Sequence, residues 1–252
     1  MIPYFIAHKK GIKLNGKNPT IIFAYGSRGR IEKSLYNKRL TDFWLKNDGV
    51  FVLANIRGGG EFGLEWHAAA MKTKRMTAYN DFVAVATNLI MTKITSPEHI
   101  GIWGGSEGSL AMGVVMTQHP ELFNTVICGR PVMDLLRYTE FGVGKNWIDE
   151  YGDPKDKKIM EYLKTYAPLE HIYKNKTYPN ILITTSTNDT RVDPWHGRIL
   201  QYMLEKHPTA KSWLLESKDG GHDGFSNLND EKEYHTDAYT FLATNLGLKI
   251  RE

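Results

Sequence analysis

The sequence predicts an α/β protein with a mostly parallel sheet that is covered by helices on both faces. Short apolar runs alternate with longer amphipathic stretches along the chain, which is the order that places helices between neighbouring parallel strands. Several of the short runs are apolar at nearly every position, as strands buried on both faces are. With 252 residues, 41% of them hydrophobic, the chain can bury a full core, and we expect residues 1–252 to form a single domain.

The predicted elements follow this alternation from one end of the chain to the other. Strands are predicted near residues 21–24, 51–56, 99–103, 125–128, 181–185 and 213–216. Helices are predicted near residues 40–46, 79–91, 109–118, 157–165, 196–206 and 231–246. The segment between residues 134 and 179 is richer in aromatic and charged residues, and we expect it to form a helical cap over the functional site.

The turn after the third predicted strand has the pattern of a nucleophile elbow. Residues 103–109 read WGGSEGS and lead directly into an apolar helical stretch. A serine raised above the end of a strand requires a very tight turn, and Gly104 and Gly108 supply the small residues that let this turn close. The new helix would direct its first N–H groups at a developing oxyanion. We therefore predict that Ser106 is a nucleophile, not merely part of a packing turn.

A serine nucleophile needs a base and an orienting acid, and candidates for both follow later predicted strands. Asp189 lies in TNDTRVDP directly after strand 181–185, and His222 lies in the glycine-rich DGGHDGF after strand 213–216. The carboxyl ends of parallel strands meet at one edge of a sheet, which would bring these side chains to Ser106. In this order of Ser, Asp and His, the imidazole takes the serine proton while the carboxylate fixes its tautomer.

Other acids and histidines are alternatives for these positions. Asp193 and Asp223 are rival acids, but Asp beside Pro or Gly commonly caps a helix or lies in a solvated loop. His67, His196 and His235 each lie in a helical stretch away from a strand end, so we expect surface or structural roles for them.

Composition argues against several other classes of function. The net charge is only +4 and lysines are interspersed with acidic residues, so no nucleic-acid partner is expected. The sequence has neither a signal peptide nor an apolar stretch of membrane-spanning length, and no membrane partner is expected. The single cysteine, Cys128, is predicted to be a buried strand thiol, which favours a reducing, cytoplasmic location. No zinc-like spacing or complete phosphate loop occurs, so we expect no metal and no cofactor.

Taken together, these segments resemble the catalytic domain of the prolyl oligopeptidase family of serine peptidases. The similarity runs from IPYFIAHKKG at 2–11 through ANIRGGGEFG at 54–63 and the elbow to EYGDP at 150–154, and it covers nearly the whole chain. It implies an α/β-hydrolase fold and cleavage of short peptides on the carboxyl side of proline, through an acyl-enzyme on Ser106. The alternatives are an esterase or acylaminoacyl-peptidase-like hydrolase with the same triad, and an inactive remnant or subunit of a split enzyme.

The resemblance also implies roles for residues outside the predicted triad of Ser106, Asp189 and His222. Tyr25 matches the tyrosine whose hydroxyl completes the oxyanion hole beside the backbone N–H of the residue after the serine, here Glu107. The matched substrate-binding residues are Trp147, which would stack on a proline ring, Tyr151 and Val192, which would line the same pocket, and Arg191, which would bind a substrate carbonyl.

Four residues depart from the family pattern. Ser27 and Arg28 follow Gly26 where the family has a glycine and an aromatic residue, and Glu107 and Ser109 replace an uncharged residue and a glycine after the serine. A carboxylate directed at a developing oxyanion would be unfavourable. We therefore expect lowered or altered activity, not an inactive site.

The family normally carries an N-terminal β-propeller, whereas this sequence shows no blade-like repeat. We therefore expect a stand-alone catalytic domain that is shortened at its N terminus relative to the family, half of a split enzyme, or a remnant. An uncovered site would expose apolar surface, which is consistent with a separate propeller chain or self-association as a partner.

Overall fold

Seven strands form one sheet in the computed structural model, which describes residues 1–250. Their order across the sheet is β1-β3-β2-β4-β5-β6-β7. Strands β2 to β7 pair in parallel, and β1 pairs antiparallel with β3 at one edge. The strands are β1 (Tyr4–Ala7), β2 (Thr20–Phe23), β3 (Val50–Ala54), β4 (Ile100–Gly105), β5 (Thr125–Gly129), β6 (Asn180–Ser186) and β7 (Ser212–Ser217).

Helices cover both faces of this sheet. The α-helices are α1 (Leu64–Ala68), α2 (Met76–Met91), α3 (Gly108–Gln118), α4 (Ile148–Tyr151), α5 (Lys157–Lys164), α6 (Trp195–Glu205) and α7 (Leu228–Leu246). The segment between residues 134 and 179 consists largely of short helical pieces, which include α4 and α5.

The sheet separates two apolar cores because successive strand residues point to opposite faces. Ile22 and Ile183 belong to a core that contains side chains of α2, α3 and α6. Their neighbours Ile21 and Leu182 belong to a second core, with Trp44 and side chains of α7. A strand buried on both faces has to be apolar at consecutive positions, which is why the sequence showed continuous apolar runs. The predicted α/β-hydrolase architecture is confirmed.

All six predicted strands are present, with bounds that differ by a few residues. The prediction omitted β1 and the short helix α1. Strand β1 has four residues, two of them exposed, and pairs on one side only, so no buried apolar run marked it. The helical stretch predicted at 40–46 is present, and it consists of a π-helical turn, Leu40–Trp44, followed by a 3-10 turn, Leu45–Asn47. The following Asp48 has a φ of 66°, which ends the helical path.

The structure also describes the surroundings of the single cysteine and the character of the helices. Cys128 is fully buried in β5, as predicted, and burial raises the pKa of its thiol. In residues 1–250, no helix combines the length and the apolar character needed to cross a bilayer.

The second core supplies a test of the packing. Leu242 of α7 is 0% exposed, and it packs so closely on β4 that a Cβ at Gly101 would lie 2.7 Å from its Cδ2 atom. We expect Leu242→Ala to lower the free energy of unfolding by about 2–5 kcal/mol, because a buried side chain is replaced by a cavity. Thr240→Ala, on the exposed side of the same helix, should change it by less than about 0.5 kcal/mol. Denaturant unfolding followed by circular dichroism measures both, and equal effects would contradict the assignment of this core.

Candidate active site

Ser106 lies at the sharp turn between β4 and α3. It adopts a φ of 56°, in the left-handed region that is unfavourable for a residue with a side chain. Its N–H donates a hydrogen bond of 2.7 Å to the carbonyl of Gly129, at the end of the neighbouring β5. Such local strain is held in place by the surrounding structure and is common at functional sites.

The small residues beside Ser106 are required by close backbone contacts. A Cβ at Gly104 would lie 2.4 Å from the carbonyl oxygen of Gly108, and one at Gly108 would lie 3.0 Å from that of Ala24. The buried Ser109 hydroxyl lies 2.6 Å from the carbonyl oxygen of Gly104 and 2.9 Å from that of Gly129. Ser109, which departs from the family pattern, therefore stabilises the turn through hydrogen bonds to the ends of β4 and β5.

The structure brings Ser106, His222 and Asp189 into one hydrogen-bond chain. His222 Nε2 lies 3.0 Å from Ser106 Oγ, and His222 Nδ1 lies 2.8 Å from Asp189 Oδ2. The three residues are on the turns and loops that follow β4, β7 and β6, so the carboxyl edge of the sheet assembles them. A carboxylate can only accept, so Nδ1 carries the ring proton and Nε2 is left to accept from the serine hydroxyl.

Asp189 is held as a carboxylate by several donors. Its Oδ1 atom accepts the backbone N–H groups of Arg191 and Val192, each at 2.9 Å. Burial by itself would raise the pKa of Asp189, but the hydrogen bonds from His222 and the two N–H groups bring it below its ordinary value. The side chain is fully buried, so the charge faces His222 without screening by solvent.

The rival residues have other partners. Asp193 accepts the N–H of Trp195 at the start of α6, and Asp223 is exposed. His67 contacts a carboxylate oxygen of Glu150 at 2.8 Å. His196 is buried, accepts two backbone N–H groups, and has a pKa lowered by burial to about 4. None of these contacts reaches Ser106.

The two predicted oxyanion donors, Tyr25 and the N–H of Glu107, lie next to Ser106. The Tyr25 side chain interacts with Ser106, and Arg30 covers its ring at 4.5 Å from the centroid. Burial raises the pKa of Tyr25, so its hydroxyl keeps its proton. Within the described residues, the N–H of Glu107 donates to no other group. Both donors are thus available to an oxygen placed beside Ser106.

The four predicted substrate-binding residues differ in accessibility. Trp147 is buried and stacks on Tyr138, with centroids 6.1 Å apart, and Tyr151 packs edge-on against the same ring. Val192 is buried next to the Asp189 carboxylate. The fourth, Arg191, is exposed to solvent. The structure thus places the two large aromatic residues in one cluster in the cap, and Arg191 and Val192 on the loop that carries Asp189.

The Glu107 carboxyl points away from the oxyanion position and into a buried polar cluster. Its Oε2 atom lies within hydrogen-bond distance of Ser27 Oγ, at 2.7 Å, and its Oε1 atom lies 3.6 Å from the Arg28 guanidinium. Ser27 also contacts Glu150, which forms an ion pair with the fully buried Arg75 at 2.8 Å. Sequence reasoning identified Ser27, Arg28 and Glu107 only as departures, and it missed Arg75 and Glu150. Nothing in the local sequence relates these distant positions.

No set of three or more His, Cys, Asp or Glu side chains within residues 1–250 is arranged to hold a metal ion.

The serine lies on a left-handed turn between a strand and a helix, and later loops of the same parallel sheet supply the histidine and the aspartate. These features define a serine hydrolase of the α/β-hydrolase class. Within this class, residues 37–249 match the profile of the prolyl oligopeptidase family. The chain belongs to that family, which confirms the resemblance seen in the sequence.

Related proteins are considerably longer than this chain. An uncharacterized peptidase of Rickettsia prowazekii is 51% identical over 249 residues, which are 99% of this chain and 34% of that protein. A prolyl endopeptidase of Elizabethkingia meningoseptica is 34% identical over 251 residues, which are 98% of this chain and 36% of that protein. A solved structure of a post-proline cleaving enzyme from Rickettsia typhi is 52% identical, with a TM-score of 0.98 over 99% of this chain and 36% of that one. The chain thus spans about a third of the length of these relatives.

The close contact at Gly104 can be tested directly. We expect Gly104→Ala to lower the free energy of unfolding by about 1–3 kcal/mol and to slow any reaction at Ser106, because the new methyl group collides with the Gly108 carbonyl. The matched control is Gly105→Ala, whose Cβ would meet the flexible end of Arg130 at 3.2 Å. Thermal unfolding and the rate of labelling by a fluorophosphonate compare the two variants. An effect as large for Gly105→Ala as for Gly104→Ala would show that the turn is not limiting.

Proposed function

We propose that this chain is the catalytic domain of a serine peptidase that cleaves short peptides on the carboxyl side of proline. The observation that carries the proposal is the continuous hydrogen-bond chain from Ser106 through His222 to the buried Asp189. Membership of the prolyl oligopeptidase family, and the similarity to enzymes named as prolyl endopeptidases, support the choice of substrate.

The proposed reaction uses the geometry of the site as it stands. Ser106 Oγ attacks the substrate carbonyl while His222 Nε2 takes the hydroxyl proton, and the Asp189 carboxylate stabilises the imidazolium that forms. The Tyr25 hydroxyl and the Glu107 N–H stabilise the negative charge on the carbonyl oxygen. His222 then gives its proton to the leaving amine, and the acyl group stays on Ser106 until water, deprotonated by His222, releases the acid and restores the serine.

The proposed proline preference rests on the aromatic cluster of the cap. A flat indole is suited to stack on the rigid pyrrolidine ring of proline, and Trp147 is held by its contact with Tyr138. Tyr151 and Val192 would complete the apolar lining, and the exposed Arg191 is free to donate to a substrate carbonyl.

A partner that covers the site is part of the proposal. Exposed apolar side chains are found in the segments that follow β2 and β3; they include Leu35, 76% exposed, and Leu64 at the start of α1, 87% exposed. Exposed apolar surface of this kind favours association. A separate propeller chain or a second copy of this chain would cover it.

Replacement of the nucleophile tests the activity itself. We expect the purified chain to react with a fluorophosphonate and to hydrolyse a fluorogenic peptide with proline before the cleaved bond. Ser106→Ala should abolish labelling and reduce turnover by at least about 10³-fold, because the attacking oxygen is absent. The control is Ser226→Ala, an exposed serine in the loop before α7, which should label normally.

The outcomes of this experiment separate the alternatives. Labelling together with ester hydrolysis but no peptide cleavage would favour an esterase. A folded sample that never labels would contradict an active enzyme and would favour an inactive remnant or a subunit that requires its partner.

The proline preference has its own test. We expect Trp147→Ala to lower kcat/KM for a proline peptide by about fivefold more than for the matching alanine peptide, because the lost stacking is worth about 1 kcal/mol. Trp147→Phe should restore part of the preference. The control is Trp213→Ala in the edge strand β7, a half-exposed tryptophan remote from the cap. Equal losses on both peptides would show that Trp147 only supports the fold.

A further inference from the structure

One hydroxyl group lies between two buried carboxyl groups beside the candidate nucleophile. Ser27 Oγ is 2.7 Å from Glu107 Oε2 and 3.0 Å from Glu150 Oε1. Ser27 is fully buried, and Glu107 and Glu150 are each only 3% exposed. These three groups are in direct contact and shielded from bulk solvent, so they make their hydrogen bonds mainly to one another and to protein neighbours.

The contacts require one more proton than the serine supplies. A hydroxyl carries a single hydrogen, so Ser27 can donate to only one of the two carboxyl groups. If both carboxyls were ionised, the second would face a lone pair of Ser27 Oγ with no proton between them, in a buried setting where such repulsion is strong. A proton on one carboxyl removes this conflict, because that carboxyl then donates to Ser27 while Ser27 donates to the other.

The other neighbours determine which carboxyl is charged. Glu150 accepts from Arg75 at 2.8 Å and from the Arg28 N–H at 3.0 Å, and its second oxygen contacts His67 Nε2 at 2.8 Å. Among residues 1–250, the donor groups in contact with the Glu107 carboxyl are Ser27 and the half-exposed Arg28 side chain, which lies at 3.6 Å. Three contacts besides Ser27 stabilise a carboxylate at Glu150, whereas Glu107 has little such support.

We propose that Glu107 is a neutral carboxylic acid that positions the oxyanion hole, donating its proton to Ser27 while Ser27 donates to the Glu150 carboxylate. This inference rests on the proposed function, because it concerns the same site. The chain of hydrogen bonds joins the loop that carries Tyr25, two residues before Ser27, to the residue whose N–H is the second oxyanion donor. Glu107 is therefore a positioning residue, and its neutrality keeps a negative charge away from the developing oxyanion.

The charges around Glu107 agree with this assignment. Burial raises the pKa of Glu107, and the Glu150 carboxylate raises it further, against the lowering effects of Ser27, Arg28 and Arg75. For Glu150, burial is outweighed by Arg75, the Arg28 N–H and His67, so its pKa is lowered. The remaining titratable groups that face Glu107 are the phenols Tyr25, Tyr138 and Tyr151, and the pKa of each is raised by burial, so they stay neutral.

The pH dependence of fluorophosphonate labelling tests the role of this proton. The neutral form of Glu107 is the competent one, so the rate should fall as the pH rises through its raised pKa. Glu107→Leu, which cannot bond Ser27, should slow labelling by about tenfold, the effect of one buried hydrogen bond. Glu107→Gln can donate to Ser27 as the acid does, so it should recover most of that loss and should lack the decline at high pH. An unchanged decline in Glu107→Gln would overturn the proposal.

An infrared measurement on the full chain gives a readout that does not require activity. A protonated carboxyl has a C=O stretching band that a carboxylate lacks, and we expect one such band at neutral pH that disappears in Glu107→Gln. The control is Asp134→Asn, which replaces a buried carboxylate paired with Arg137 and should leave the band in place. A band that persists in Glu107→Gln, or is absent from the parent, would overturn the proposal. A parent chain that never labels but shows the Glu107 band would instead contradict only the proposed peptidase function.

Discussion

The left-handed turn at Ser106 is the constraint to which the other parts of the site conform. It lifts the hydroxyl above the end of β4, and it can close only because Gly104 and Gly108 have no side chains and because Gly129 accepts the Ser106 N–H. The same turn starts α3, so the position of Glu107 and its N–H follows from it. The sheet then fixes the other partners, because neighbouring parallel strands deliver their loops to a single edge.

Two buried carboxyl groups lie close to this turn, and their surroundings shift their pKa values in opposite directions. Asp189 receives hydrogen bonds from His222 and from two backbone N–H groups, and it remains charged. Glu107 is also buried but has few donors, and its pKa is raised instead of lowered. A charge is useful on the side where an imidazolium forms and harmful on the side where an oxyanion forms. The separation of acid and base roles by environment is common to enzymes that use paired carboxyls.

The sequence was sufficient for the parts of the structure that local rules determine. Glycine spacing marked the turn, apolar runs marked the buried strands, and the order of Ser106, Asp189 and His222 followed from strand ends. Strand β1 was missed because it is a short edge strand with exposed residues, and the π-helical turn at Leu40–Trp44 has no periodicity of its own. The contacts of Glu150 with Ser27 and Arg75 join positions 123 and 75 residues apart, which no local pattern relates.

Arg75 limits how far two segments beside the site can move apart. Its fully buried guanidinium binds the carbonyls of Gly26 and Ala70 and the carboxylate of Glu150, so it fastens the Tyr25 loop and the cap helix α4 to the same point. Removing one partner from a buried ion pair costs about 3–5 kcal/mol, so a hinge between these two segments would rarely open. Any movement that opens the site would therefore have to carry the Tyr25 loop and α4 together.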